Sequence, residues 1–291
     1  MKTNLLFLHA LSPLHAGTGQ GIGAIDLPIA REKSTNFPIV PGSTLKGVLR
    51  ANCQDDGTKL CERVFGPETN NAGEHAGSAQ FSDLRLLFLP VRSMAGTFAW
   101  VTSPLVLWRF ARDCKMANTL VFGEPPRVDD NKTCLLAADP SALTMKIEQQ
   151  DNQVVLEDLR LTGSFSETLQ NLVNGLAIHL FKNSEWQTLF KQRVCVVHDD
   201  VLNFLLETAT EITARIGIEK DKKTVAEGAL WYEEALPAES ILAGLVTVQE
   251  IKASADEVRQ VIGQIAQDPL QVGGNSTVGR GLCRIYLAVG G

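Results

Sequence analysis

The 291 residues carry 27 basic and 33 acidic side chains, a net charge of −6, which argues against a free-standing DNA binder because such proteins are usually basic. At 44% hydrophobic and 21% charged, the chain has the composition of a globular protein with a sizeable core, in one large domain or two ordinary ones. No apolar run reaches the ~20 residues of a membrane helix, no signal peptide is recognisable, and the six cysteines form neither a C-x-x-C pair nor zinc-finger spacing with a histidine, so reduced thiols in a cytoplasmic protein without a membrane partner are expected.

Asn4–Leu14 (NLLFLHALSPL) is apolar and partly alternating. That predicts a strand, with a Leu-rich helix as the alternative. Residues 15–40 form a long glycine- and proline-bearing loop, a length that usually marks function or disorder. Seven apolar side chains (Ile22, Ile25, Leu27, Ile29, Phe37, Ile39 and Val40) make it too hydrophobic for a linker. Gly17, Gly19, Gly21 and Gly23 alternate within it, followed by the lone carboxylate of Asp26 and the basic residues Arg31 and Lys33. A helix is predicted over Ser43–Cys53, with Ser43 as N-cap and Leu45, Val48 and Leu49 on its apolar face. The polar stretch Gly57–Gly77, which includes His75, reads as an exposed loop, and Ser78–Val91 as a strand.

The middle of the chain, about 98–163, reads as an inserted subdomain, with an apolar segment at 103–114 and turn signals at Pro125-Pro126 and Asp129-Asp130-Asn131. A helix is expected over Ser164–Phe181 with Ser164-x-x-Glu167 as its capping box. A strand at Arg193–Val197 and a short helix at Asp199–Glu207 follow. Thr210–Ile218 alternates like a strand, a charged stretch follows, and GALWYEEALP completes a long hairpin. Ser240–Glu250 is a strand, and Ser254–Gln267 an amphipathic helix whose capping box is Ser254-x-x-Glu257. A second glycine cluster, Val272–Gly281, precedes a last strand over Leu282–Val289. Strands alternating with helices at both ends predict an α+β fold of ferredoxin-like units, an antiparallel sheet covered by helices.

Three features coincide: the glycine loop ending in Ile25-Asp26, the PGSTLKGVLR segment at 41–50, and GGNSTVGRG at 273–281. Together with RIGIEKDKKTVAEGALWYEEALP at 215–237, they make the chain resemble the RAMP superfamily of CRISPR effector proteins. It is most similar to the repeated backbone subunit of type III-B (Cmr) complexes. The resemblance spans nearly the whole chain and is weakest in the middle third. It implies a single domain over 1–291 with a ferredoxin-like (RRM-like) palm, built from about 1–55, 78–95 and 164–291. The insertion at about 98–163 and a β-hairpin thumb complete it. It further implies partners: a guide RNA, a complementary target RNA, further copies of the chain in a filament and other effector subunits. Each copy would cut the paired target, giving regularly spaced breaks, with Asp26 as the cleavage residue.

Asp26 is otherwise an ordinary turn aspartate. In the functional reading it accepts a proton from the attacking 2′-OH or helps hold a divalent metal. One carboxylate is a poor Mg²⁺ cage, so Mg²⁺ is expected to bind weakly without RNA. His15, beside the glycine loop, is either structural or a general acid or phosphate donor. Glu227 is a further catalytic candidate, and a solvated loop charge is its alternative. Gly17, Gly19, Gly21 and Gly23 are expected to pack closely on RNA together with Gly274 and Asn275. The near match to a dinucleotide fingerprint at Gly19–Ala24 fails because Pro28 stops any helix. Ser43, Thr44 and Lys46 at a helix start suit phosphate, Arg50 extends that patch, and Arg280 is expected on guide-RNA phosphate. Trp231 and Tyr232 on the hairpin suit core packing, a wedge between bases or contact with the next subunit. The rival readings are a non-catalytic structural RNA-binding subunit, an enzyme that processes the guide precursor and, more distantly, a nucleotide-cofactor enzyme.

Overall fold

Lys2–Ala10 forms β1, and Leu5, Leu6, Phe7 and Leu8 along it are fully removed from solvent. A strand covered on both faces loses its polar alternation, which is why this run also reads as a helix. The strand ends at Ala10, before Pro13 and short of the predicted Leu14, and Leu11 and Ser12 donate their N–H groups to the Leu282 carbonyl. The computed structural model describes residues 2–19, 21, 24–54, 57–67, 71, 73–120, 123–218 and 225–288, with the backbone alone at 217–218 and 225–229.

The chain continues through β2 (Ile39–Val40), α1 (Gly42–Ala51), α2 (Leu60–Phe65), β3 (Ala79–Phe81), β4 (Leu84–Arg92), β5 (Phe98–Thr102) and α3 (Pro104–Met116). Next come β6 (Thr133–Leu136), β7 (Met145–Ile147), β8 (Gln150–Leu156), β9 (Leu159–Phe165), α4 (Glu167–Leu180), α5 (Ser184–Arg193), β10 (Val194–Val197) and α6 (Asp199–Thr208). The hairpin strands are β11 (Glu211–Ile218) and β12 (Val225–Ala235), followed by β13 (Ile241–Val248), α7 (Ala255–Ile265), β14 (Leu270–Gln271) and β15 (Leu282–Ala288).

Among the described residues, thirteen strands make one mostly antiparallel sheet in the order β14-β15-β1-β13-β4-β5-β10-β6-β9-β8-β7, with β2 on β4 and β3 on β13. β11 and β12 pair only with each other. β4 joins the two halves of the large sheet. Its first half pairs with β13 and its second half with β5, so the strands of 98–163 continue the main sheet. Trp100 anchors this junction: its ring lies 5.1 Å from Phe190 and 6.1 Å from Phe181. Its indole N–H donates to the Glu239 carbonyl at 2.9 Å.

Several expectations need correction. The stretch 57–77 contains α2, which buries Val64 and Phe65. The strand expected over 78–91 is two strands, broken at Ser82-Asp83. Ser164 lies in β9, and α4 is capped instead by Ser166, which accepts the Leu169 N–H. α5 had no counterpart in the sequence reading; Asn183 starts it by accepting the N–H groups of Glu185 and Trp186 at 2.7 and 3.1 Å. The capping box of α7 forms as expected from Ser254 and Glu257. Two of the cysteines are not reduced thiols: Cys53 and Cys61 form a disulfide tying the end of α1 to α2. The other four are free and buried, and burial pushes the Cys114 and Cys283 thiols up to about 12, far from reactive thiolates.

Candidate functional site

One edge of β12 organises the site. A strand edge presents alternating N–H and C=O groups that need partners. Here the partners arrive from the glycine loop. Leu14 exchanges both backbone bonds with Leu236, and Leu27 donates to Tyr232 O at 3.0 Å and accepts from Glu234 N at 3.0 Å. Two side chains fill the remaining places. The Asp26 carboxylate accepts Tyr232 N–H at 2.7 Å through Oδ2, and His15 Nδ1 lies 2.6 Å from Glu234 O, so Nδ1 carries the donated proton. Asp26 and His15 thus stand on anchors two residues apart along one strand, roughly 7 Å.

The loop between them is shaped by its own backbone pairing. Ala30 N donates to Ala16 O at 2.7 Å and Thr18 N to Pro28 O at 3.3 Å, so 16–18 and 28–30 run antiparallel. Gly21 N then closes on Asp26 O at 2.8 Å. A Cβ on Gly21 would fall 2.7 Å from Ile25 O, so this turn needs glycine. Asp26 is exposed beyond it. Its Oδ1 has no hydrogen bond among the described residues.

The two glycine clusters meet, and their meeting point is His15. A Cβ on Gly17 would fall 2.5 Å from His15 Nε2, and one on Gly274 3.3 Å from Cδ2. Gly274 N donates to His15 O at 2.9 Å. The close approach expected on RNA at Gly17 and Gly274 is therefore made on the imidazole. His15 is 7% exposed, its Nδ1 is committed and its Nε2 is covered by Gly17, which departs from an open general acid or phosphate donor. Gly19, at φ +93°, has open space around it. Gly23 lies outside the described residues, as does the side chain of Glu227.

Beneath the loop lie two buried carboxylates that the sequence reading passed over. Glu234 Oε2 accepts Ile29 N–H at 3.1 Å, and its Oε1 accepts Arg31 at 2.5 Å. Arg31 also donates to Leu206 O and Asn36 O. Glu233 takes Arg215 at 3.1 Å, Asn275 at 3.2 Å and the Trp231 indole N–H at 3.0 Å. Burial pushes the Glu233 carboxyl up, but Trp231, Arg215 and the charge of Arg280 together pull it further down, leaving it below its ordinary value. The signal was present: two adjacent acids beside the largely apolar run ALWY must be paired once buried.

Arg280 belongs to this buried layer. It is 7% exposed and bonds Thr213 at 2.9 Å, with Glu211 at 3.8 Å and Glu233 at 4.0 Å. Its guanidinium faces the hairpin and is withdrawn from the solvent where a guide phosphate would lie. Ser43, Lys46 and Arg50 do line one groove, together with His75 and Phe81. The α1 N-terminus is not an open anion site, however. Pro41 is its cap position, Ser43 makes no cap bond, and Asp83 accepts the Gly42 N–H at 2.8 Å. Arg50 donates to Pro67 O, and Thr44 is half-buried outside the groove.

Among the described residues, no three His, Cys, Asp or Glu side chains cluster as a metal cage. Asp26 offers a cation one carboxylate oxygen, which does not amount to a protein-built metal centre.

The family model of the RAMP superfamily matches residues 7–284. Over 296 residues the chain is 37% identical to the CRISPR system Cmr endoribonuclease Cmr4 of Pyrococcus furiosus, covering 99% of this chain and 96% of that protein. It is 23% identical over 299 residues to the CRISPR system CMR subunit Cmr4 of Saccharolobus solfataricus, covering 96% and 94%. The crystal structure of oligomeric Cmr4 from Pyrococcus furiosus superposes with a TM-score of 0.72 at 29% identity, over 99% of this chain and 98% of that one. A chain of the type III-B Cmr-beta assembly bound to cognate target RNA gives a TM-score of 0.73 at 18% identity, over 99% and 97%, a likeness of fold.

Proposed function

Because the chain belongs to the RAMP superfamily, and within it to the Cmr4 family, we propose that it is an endoribonuclease subunit of a type III-B CRISPR effector. Several copies would stack along a guide RNA with the other subunits, and each copy would cut the paired target RNA. Pairing reads the sequence, and the protein reads backbone and shape. The strand order β15-β1-β13-β4 supports a ferredoxin-like palm, with β1, α1, β4, β13, α7 and β15 as its βαββαβ units. The hairpin β11–β12 would be the thumb.

One observation carries the catalytic reading. The Asp26 carboxylate is exposed, yet it is fixed in orientation by Tyr232 N–H. One oxygen is held by the strand, and the other is available to a target 2′-OH. Asp26 takes the 2′-OH proton as the 2′-oxygen bonds to phosphorus. The P–O5′ bond breaks, and water returns a proton to the 5′-oxygen. The products are a 2′,3′-cyclic phosphate and a 5′-OH. His15 acts as a positioning residue, holding the glycine loop against β12. In the alternative role Asp26 would help hold a divalent cation such as Mg²⁺ instead of taking the proton; phosphate and water would have to supply the other ligands, and the cation would neutralise phosphate charge. Ser43, Lys46 and the open backbone at Gly19 would meet RNA phosphates.

The test is cleavage by the assembled complex carrying wild-type or Asp26→Asn protein. The asparagine can still accept the Tyr232 N–H, so the loop is expected to stay in place. The expected outcome is evenly spaced cuts by wild type and a rate at least about 10²-fold lower in the variant, with assembly unchanged. A target with a single 2′-deoxy nucleotide at one cut position should resist there alone. Equal cutting by both proteins would make this chain a scaffold.

A further inference from the structure

A second cleft lies at the opposite end of the paired segments 10–15 and 234–240 from His15. It opens where β12 turns into β13, and its volume of about 340 Å³ lies at the lower end of the range of small-molecule pockets, roughly 300–1,000 Å³. Its floor is His9, 4% exposed, with Nε2 2.6 Å from Glu239 Oε2. Its wall is an aromatic plate. Phe181 and Trp186 stack at 5.9 Å with 16° between their planes, and Trp186 remains 41% exposed.

Two cations line the same cleft, Lys182 and Arg284. Arg284 is half-buried on β15 opposite His9 and has no hydrogen bond or ion pair among the described residues. The carboxylate that lines the same cleft, Glu239, is already held by His9. Tyr286 registers all three influences: burial pushes its hydroxyl up, Arg284 pulls it down and Glu239 pushes it up. A guanidinium partly withdrawn from water without a partner is suited to an anion. An inorganic anion would satisfy Arg284 and leave the plate bare. An apolar ligand would cover the plate and leave Arg284 unpaired. A ring joined to a phosphate satisfies both.

We propose that this cleft is a nucleotide-binding site separate from the Asp26 loop, stacking a base on Trp186 and holding its phosphate with Arg284 and Lys182. His9 and His15 are six residues apart, at most about 20 Å, so the occupant is either a free nucleotide or a further unit of a single-stranded RNA that also passes Asp26. The inference does not depend on the cleavage reading, since none of these side chains touches Asp26.

The full-length protein would be photolabelled with 8-azido-AMP, or with a single-stranded RNA containing 4-thiouridine, and the labelled peptides mapped by mass spectrometry. Saturable labelling is expected around Trp186 or Tyr286. It should fall at least tenfold in Trp186→Ala and in Arg284→Gln, and be unchanged in Asp26→Asn. Lys182→Glu, at an exposed position, carries the test if either variant fails to fold. Labelling by the azido nucleotide assigns a free nucleotide, and labelling by the RNA alone assigns a strand unit. Absence of label at these peptides with both probes, label that persists in the variants, or label displaced equally well by inorganic phosphate would overturn the proposal.

Discussion

At residue 26 one carboxylate holds a strand edge through Oδ2, and in the proposed reaction its other oxygen would act as the base. His15 divides its ring similarly, with Nδ1 on Glu234 O and Nε2 under Gly17. A methyl group on Gly17 must therefore displace the imidazole. Gly17→Ala should cost about 1–2 kcal/mol of stability, read by thermal denaturation, and lower cleavage at least about tenfold, because the loop that carries Asp26 loses its support. Glu233 makes a pH-dependent contribution. Its folded-state value lies below the ordinary 4.5, so its stabilisation is present above that value and is lost as pH falls through the lower folded one. Protonated, Glu233 leaves Arg215 and Arg280 without their shared carboxylate. The chemical shift of the Trp231 indole N–H, which donates to Glu233, should move over that acidic window in an NMR titration and stay constant at neutral pH.

At the scale of elements, the glycine loop is fastened from two sides. Glu234 holds Ile29 and Arg31 from the hairpin, and Glu32 forms a double ion pair with Arg109 of α3 at 2.5 and 2.7 Å. The Arg109 bond is the main reason the Glu32 carboxyl lies below its ordinary value. Glu234→Ala would strand a buried Ile29 N–H and most of the Arg31 charge, at a cost of roughly 3–5 kcal/mol. Chemical denaturation should show that loss. The sequence made some elements plain. The α7 capping box, the alternation of β11 and the apolar β1 are local signals that the fold leaves unchallenged. Other elements were hidden for physical reasons. β4 (LRLLFLPVR) is buried on both faces, so no period betrays that it serves two half-sheets. α5 buries only Phe190 within it, too narrow a stripe to declare a helix. The meeting of Gly17, Gly273 and Gly274 around His15 joins positions more than 250 residues apart, which no local pattern can announce.

For the whole molecule, a net charge of −6 must coexist with the proposed binding of RNA, so the attraction has to be local. The groove with Lys46 and Arg50 is a candidate, and Arg280 is excluded from it by its own ion pairs. If Lys46 meets a phosphate, Lys46→Ala should weaken RNA binding by a similar factor for every sequence. It should also reduce the slope of log affinity against log salt by about 1, measured by titration at several salt concentrations. The family resemblance was legible from loops and turns, while the continuity of the thirteen-stranded sheet was not.

That sheet ends in stubs. β14 has two residues and β7 three, and the side branches β2 and β3 are equally short. An exposed strand edge invites a like chain to add on, and short edges deny it the template. If copies stack side by side as proposed, runaway fibre growth is the hazard that such a density brings. Blunted edges close that route on the large sheet, so copies crowded along one thread, as proposed, could still come apart there.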